Sequence, residues 1–413
     1  MTRVGRLAAL AALLLAACGT PTEQGKGPPP LLEALPRVLT PAESRLIAAG
    51  NEFGFALFRQ ARVAAPDSSI FLSPVSAAMA LGMTLNGAAG ATFDSMRVAL
   101  RLGNATQEDI NGAYRSLIDL LRGLDNTSRF KIANSIWTDA GMTFFQSFLD
   151  AGRTSFDARV QALDFGAPSA VGTINDWVEE NTGGKIPTIL DQIEPNEVMF
   201  LINAIYFKGS WRVAFDPEAT QPAPFHAADG TTQSVPTMVL PPKPLRAGAT
   251  ADAQVVELLY GNGAFALTIV LPGSGRTLAD LTAGLDTARW AGWIGALHDA
   301  EIGLTLPKFR LEYQRRLNDD LSALGMRIAF DPNAADFSRM ASVPPGGLFI
   351  TRVIQKTFVD VNEEGTEAAA ATSVGVGVTS APMTVAVDRP FLFAIRERLS
   401  GTILFLGQIT RIP

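Results

Sequence analysis

Residues 366–378 alternate as a strand does. Thr366, Ala368, Ala370, Thr372, Val374, Val376 and Val378 fall on one face, and Glu367, Ala369, Ala371, Ser373, Gly375 and Gly377 on the other. Every side chain except Glu367 is small or β-branched. Four successive alanines and two glycines are nonetheless poor strand material, because they pack little surface and give up backbone entropy on ordering. The pattern predicts a loop that is also able to slide between existing strands, and the lack of proline from 362 to 381 leaves every ladder N–H available.

The rest of the chain mixes both periods. Helical spacing marks residues 42–61, with Pro41 where a first-turn proline is tolerated, and a helix opened by Pro74 after Ser73, whose Ala77, Ala78, Ala80, Leu81 and Met83 are small or apolar almost all round, as in a buried helix. Further helices are predicted at 94–102, at 107–121, at 174–186 with Gly183 and Gly184 closing it, and at 317–324. Strand patterns cover 131–137, 199–211 and the last pair from Pro390 onward. A hairpin joins 255–260 to 265–271 through Gly261-Asn262-Gly263, which supplies the positive φ of a tight turn. Asn203, inside an apolar strand, must find partners or cost roughly 1–3 kcal/mol.

The first residues read differently. Arg3 and Arg6 precede an apolar run at 7–17, which is too short to cross a bilayer of roughly 30 Å and fits an export signal over residues 1–17. Leu15-Ala16-Ala17-Cys18 resembles the bacterial lipobox, which implies that Cys18 is lipidated and becomes the mature N-terminus. An ordinary secretory signal with a chance cysteine is the plainer alternative, disfavoured because Cys18, the sole cysteine, sits where cleavage falls. Acyl chains contribute about 0.8 kcal/mol per buried CH2, so several would anchor the chain firmly, and Gly19 is compatible with sorting to an outer membrane. Residues 18–40, with Pro21, Pro28, Pro29, Pro30 and Pro36, are expected to form a poorly ordered, semi-rigid tether. Residues 41–413 then form one domain with no internal composition break. Localisation is expected to be extracytoplasmic, at the cell envelope or secreted.

With 34 Lys and Arg against 40 Asp and Glu there is no basic excess for nucleic acid, and one cysteine allows no internal disulfide. Catalysis finds little support. His226 and His298 are the only histidines, no G-x-S-x-G elbow or pair of metal-ligand motifs occurs, and Gly273-Ser274-Gly275 reads as a turn.

N-E-E-G-T-E-A-A-A-A-T at 362–372 resembles the hinge of the serpins, the serine protease inhibitors. Four further strings fall in the family's order: S-I-F-L-S-P-V-S at 69–76, N-S-I-W at 134–137, M-F-L-I-N-A-I-Y-F-K-G-S-W at 199–211, and L-P-K-F-R-L at 306–311 followed by the final strand pair. The resemblance implies an α+β fold with three β-sheets, one large and central, about eight or nine helices, and an exposed reactive-centre loop at 363–388. It implies a hinge of Glu363, Gly365, Thr366, Glu367, Ala368, Ala369, Ala370, Ala371 and Thr372, and a polar shutter of Ser73, Ser76 and Asn203. Gln355 stands in that shutter where the family usually has histidine. It also places Trp211 at the breach, where the loop first enters the sheet. Loop length puts the reactive bond at Thr379-Ser380.

The function so implied is suicide inhibition, in which a serine protease cleaves the loop, stays covalently attached, and is distorted as the loop adds to the central sheet. Cysteine proteases are a second target class. The small, β-branched Thr379 suits elastase-like or subtilisin-like enzymes, and Arg and Lys are absent from 365–388. No cofactor or metal is expected, and the partners are the protease and, through Cys18, a membrane, with the chain a monomer. Only Arg115 and Arg122 stand where heparin-binding members are basic, so no such site is expected. The rival reading is a non-inhibitory serpin used as a binding or structural protein, which would be marked by bulky, charged or proline residues in the hinge.

Overall fold

The computed structural model describes residues 28–366 and 383–413. In chain order the elements begin with α1 (Pro41–Ala64), β1 (Ile70–Leu72), α2 (Pro74–Leu85), α3 (Gly90–Ala99), α4 (Gln107–Arg122), β2 (Arg129–Asp139), α5 (Gln146–Phe156), β3 (Ala158–Leu163), α6 (Ala170–Asn181) and β4 (Met199–Ser210). There follow β5 (Gln221–His226), β6 (Thr232–Ala249), β7 (Ala253–Leu259), β8 (Phe265–Pro272), α7 (Leu278–Ala283), α8 (Thr287–Gly295), β9 (His298–Pro307), β10 (Phe309–Arg316) and α9 (Asn318–Leu321). The chain ends through β11 (Ile354–Asn362), β12 (Gly365–Thr366), β13 (Met383–Ala386), β14 (Phe391–Glu397) and β15 (Ile403–Ile409).

Six strands form the central sheet in the order β10-β11-β12-β4-β2-β3. Helix α2 lies against its inner face, packed on β4 and β15. Its sequence fits that place: Ser73 caps it, Pro74 opens it, and residues from Pro74 to Leu85 are buried except Ala80. Helix α6 covers the outer face of the same sheet, where Ile174, Trp177 and Val178 pack on Trp137, Phe200 and Ile202. The sheet is thus sandwiched, which explains why β4 reads as apolar on both faces.

The other nine strands form one hydrogen-bonded set, so the expected second and third sheets are joined. The long β6 joins them. Its start pairs with β5, its middle with β9 and its end with β7. The register shifts between Leu240 and Lys243, where Pro241 and Pro242 can donate no ladder hydrogen bond.

Several sequence boundaries shift, the helix expected at 174–186 running over Ala170–Asn181. The helix expected at 94–102 runs over Gly90–Ala99 and stops before Arg101, which takes a left-handed φ of 61°. The helix expected at 317–324 is a short turn at Asn318–Leu321 that opens into a wider one around Gly325, with φ 108°.

Residues 28–40 depart from the expected loose tether. Leu32, Leu35 and Leu39 pack against the core, and the Leu32 N–H donates to the Asn262 carbonyl at 2.7 Å. Arg212 Nη1 reaches the Pro29 carbonyl at 2.6 Å. Arg37 hydrogen-bonds Glu43 in the first turn of α1, and that bond, opposed by burial, holds the Glu43 carboxyl down at about 2. Proline content marked this stretch as unable to form a helix or strand. It could not show that leucines spaced between the prolines would find grooves.

Candidate functional site

Strands β4 and β11 run side by side in the central sheet, but among the described residues they bond to each other nowhere. Their link is β12. Val361 pairs with Thr366 and Asn362 with Gly365 on one side, and Ser210 pairs with Gly365 and Gly209 with Thr366 on the other. Beyond this two-residue wedge, a cavity of about 260 Å³ lies between the strands and over α2, lined by Ser76, Ala80, Asn203, Ile205, Gln355 and Thr357 among others. The sheet is therefore closed at one end and open below it.

The closed end is tightly built. Gly365 has φ 148°, and a Cβ there would lie 2.0 Å from the Gly209 carbonyl oxygen, so only glycine fits. Thr366 is 3% exposed, and its hydroxyl shares a 2.7 Å hydrogen bond with the Tyr260 hydroxyl. Trp211 stacks on Tyr260 at 4.5 Å between ring centroids, and its Nε1 donates to the Asn362 carbonyl at 2.8 Å. The Trp211 N–H donates to the Glu364 carbonyl and the Phe215 N–H to that of Glu363. Glu363 itself is held by Lys308 Nζ at 2.8 Å and by Thr220 Oγ1 at 2.7 Å. Burial would push its carboxyl up, but the hydrogen bonds from Lys308 and Thr220 outweigh that and hold it below the usual carboxylate range.

The open part carries a chain of polar groups. Gln355 faces the start of α2: its Oε1 accepts from the Ser73 N–H at 3.0 Å, and its Nε2 donates to the Ser73 carbonyl at 2.8 Å. Ser73 Oγ donates across to the Leu404 carbonyl at 2.7 Å. Ser76 Oγ donates to the Asn203 carbonyl at 3.3 Å, and Asn203 Nδ2 donates to Asn134 Oδ1 at 2.7 Å. Asn134 Nδ2 in turn reaches the Phe156 carbonyl at 2.6 Å. Asn203 Oδ1 is buried with no hydrogen-bond partner. A neutral amide thus does, with two bonds, what a side chain facing a helix start has to do, and no titrating group takes part in the chain.

A family model for "Serpin (serine protease inhibitor)" matches residues 48–412. The chain belongs to the serpin family. The leukocyte elastase inhibitor of Sus scrofa is 34% identical over 383 residues, covering 89% of this chain and 99% of the relative. Among solved structures, the native state of tengpin, a thermophilic serpin, superposes with a TM-score of 0.81 at 29% identity, covering 94% of this chain and 98% of that one. Human thyroxine-binding globulin in complex with its hormone gives a TM-score of 0.82 at 28% identity, covering 90% and 99%.

Ser73, Ser76, Asn203 and Gln355 meet in one network, and Trp211, Glu363, Gly365 and Thr366 meet at the closed end. The expected loop at 363–388 starts and finishes inside sheets, since Gly365–Thr366 and Met383–Ala386 are strands and the latter pairs parallel with β9. Glu367, Ala368, Ala369, Ala370, Ala371, Thr372, Thr379, Ser380 and Cys18 lie outside the described residues. The sequence reading did not foresee Asn134, which extends the network from Asn203, or Tyr260, Thr220 and Lys308, which hold Thr366 and Glu363. Asn134 carried a usable signal, a polar residue at the centre of an apolar strand, as Asn203 does. Tyr260 ended a strand of the hairpin and gave none.

The Glu363 clamp has a defined pH dependence. A carboxyl held below its ordinary value of 4.5 contributes stability that is complete above that pH and is lost as pH falls through the lower folded value. The wild-type thermal midpoint should therefore be insensitive to this group from pH 7 to about 5 and fall below that. In Lys308→Met burial is less opposed and the carboxyl moves back up, so this acid-side loss should shrink, or turn into a gain as pH falls. Thermal melts of both proteins across pH 3 to 8 would check this, and superimposable profiles would exclude the clamp.

Proposed function

We propose that this serpin inhibits serine proteases by inserting its cleaved loop into the central sheet, with Thr379-Ser380 as the reactive bond. The single observation that carries the reading is the unpaired gap between β4 and β11, wedged open at one end by the first residues of the loop itself.

The chemistry belongs to the protease. Its serine oxygen attacks the Thr379 carbonyl, the amide C–N bond breaks, and Ser380 departs as a new amine carrying the proton passed on by the protease's general acid. Thr379 is left as an acyl ester. What this chain contributes is the next event: the freed strand continues the register that β12 has begun. Each residue further along it meets one residue further back on both β4 and β11. Thr372 then arrives between Asn203 and Gln355, on the inward face, where the Asn203 Oδ1 lacks a partner. Ala368 and Ala370 arrive on the same face opposite Phe207 and Ile205, in space that larger side chains would overfill.

From Thr366 to Thr379 the new strand measures roughly 45 Å, against roughly 55 Å for a globule of this size, so the attached protease is carried most of the way across the molecule. Pulling on the ester distorts the oxyanion geometry that hydrolysis needs. Hinge composition argues against the non-inhibitory alternative, since Ala368 to Ala371 put no bulk, charge or proline in the way.

Val378-Thr379 points to elastase-like or subtilisin-like targets, in keeping with the name of the Sus scrofa relative. Residues 1–17 would direct export and Cys18 would carry the lipid that holds a bacterial protein at its envelope, with residues 28–40 returning the chain to the domain surface. Incubation with a panel of elastase-like, subtilisin-like and cysteine proteases should yield an SDS-stable complex of the summed mass with at least one small-pocket enzyme. Cleavage by all of them without any such complex would refute the proposal.

A further inference from the structure

The far end of the gap is closed by two side chains that belong to none of the matched motifs. Glu197 lies just ahead of β4 and Arg352 just ahead of β11, on opposite sides of the cavity. Arg352 Nε is 2.7 Å from Glu197 Oε1, and Arg352 Nη2 donates to Glu197 Oε2 at 2.8 Å and to the Gln192 carbonyl at 2.6 Å. Thr351 Oγ1 donates to Glu197 Oε1 at 3.0 Å, and the Glu194 N–H to Oε2 at 2.9 Å. The Glu197 side chain is 1% exposed and that of Arg352 17%. The guanidinium also sits 5.6 Å from the centre of the Phe200 ring, in the cluster under α6. A pair this dry resists separation, because parting it leaves two charges out of water and without their partners.

We infer that Glu197 and Arg352 form a latch across the foot of the gap, and that parting it sets how fast an inserting strand reaches its full length. This rests on the insertion reading above. The register of β12, continued, brings Gly375 opposite both Arg352 and Phe200, and Val378 opposite Glu197. As far as the shutter the charged residues along the strand's path, Lys208, Asp360 and Lys356, stand on the outward row, and none of the ion pairs seen among the described residues joins β4 to β11 there. The strand's last residues meet the ion pair. Insertion then has a free first half and a gated second half. Only the second half carries the protease far enough to be distorted, so the latch decides the share of protease that escapes by hydrolysis.

The test separates insertion from trapping by cutting the loop with a zinc metalloprotease, which forms no acyl-enzyme. Timed samples are then assayed for heat resistance. Arg352→Met should shorten the half-time of that gain about tenfold, and Glu197→Gln, which keeps the shape but not the charge, should shorten it by less. Arg289→Met removes a comparable ion pair to Asp252 far from the gap, and should lower the thermal midpoint of the uncut protein while leaving the half-time unchanged. The latch is overturned if neither Arg352→Met nor Glu197→Gln shortens the half-time, or if Arg289→Met shortens it equally. Should Arg352→Met fail to fold, Glu197→Gln carries the comparison. A cut wild-type chain that never gains heat resistance would remove the insertion reading and the latch with it, whereas a normal gain with unaltered variants would remove the latch alone.

Discussion

Thr366→Arg should turn the protein from an inhibitor into a substrate. Its loop is expected to be cut by an elastase-like protease at an unchanged rate, while the yield of SDS-stable complex falls more than about tenfold, since a buried unpaired charge costs several kcal/mol and each 1.36 kcal/mol is a factor of ten in a rate. The reason is local. Thr366 sits between Val361 and Gly209 with its hydroxyl on Tyr260, and Trp211 roofs the same pocket. A guanidinium placed there must leave the sheet, and with it goes the rung from which, on the proposed mechanism, insertion proceeds. Because the scissile bond lies thirteen residues further along, recognition by the protease is untouched. Rate of loop cleavage and yield of complex, measured on one sample, separate the two effects. An unchanged ratio of complex to cleaved product would show that insertion does not start from β12.

How far the sequence disclosed this site depends on what kind of constraint each residue obeys. Gly365 and Thr366 stand in a string whose order is dictated by close backbone contact, Gly365 against Gly209, and such constraints leave an unmistakable trace. Ser73, Ser76 and Asn203, expected to form the shutter, are polar groups in apolar surroundings, so each announces that partners must exist, and the fold brings those partners together. Gln355 was the departure from the family's usual histidine, and it is accommodated because its amide sets a donor beside an acceptor, so that it meets the N–H and the carbonyl of Ser73 at once. Other contributions come from pairs remote in sequence. Glu197 with Arg352, and Glu363 with Lys308, look like ordinary charged residues until two strands place them face to face. Strand β6 was missed for a different reason. Pro236, Pro241, Pro242 and Pro244 contradict strand propensity, and it is the bulge, together with a partner on each side in turn, that accommodates them.

The second large effect expected is on heat resistance. Cutting the loop after Thr379 should raise the thermal midpoint by about 10 °C or more, since every kcal/mol gained moves a large domain by a few degrees at most. In the uncut chain β4 and β11 leave their facing N–H and carbonyl groups without one another, and the Asn203 Oδ1 is buried unpaired. A new central strand satisfies both rows at once and brings Thr372 against the orphaned oxygen. The uncut fold persists because the loop is held at both ends, at Gly365–Thr366 in the central sheet and at Met383–Ala386 beside β9, and cannot reach down the gap without releasing one of them. On the proposed mechanism its stability is a matter of rate, and the cleaved form should be the lower state. Differential scanning calorimetry of cut and uncut protein gives the comparison directly. A midpoint that stays level or falls on cutting would mean that the gap holds no driving force, and no inhibitor of this kind could work from it.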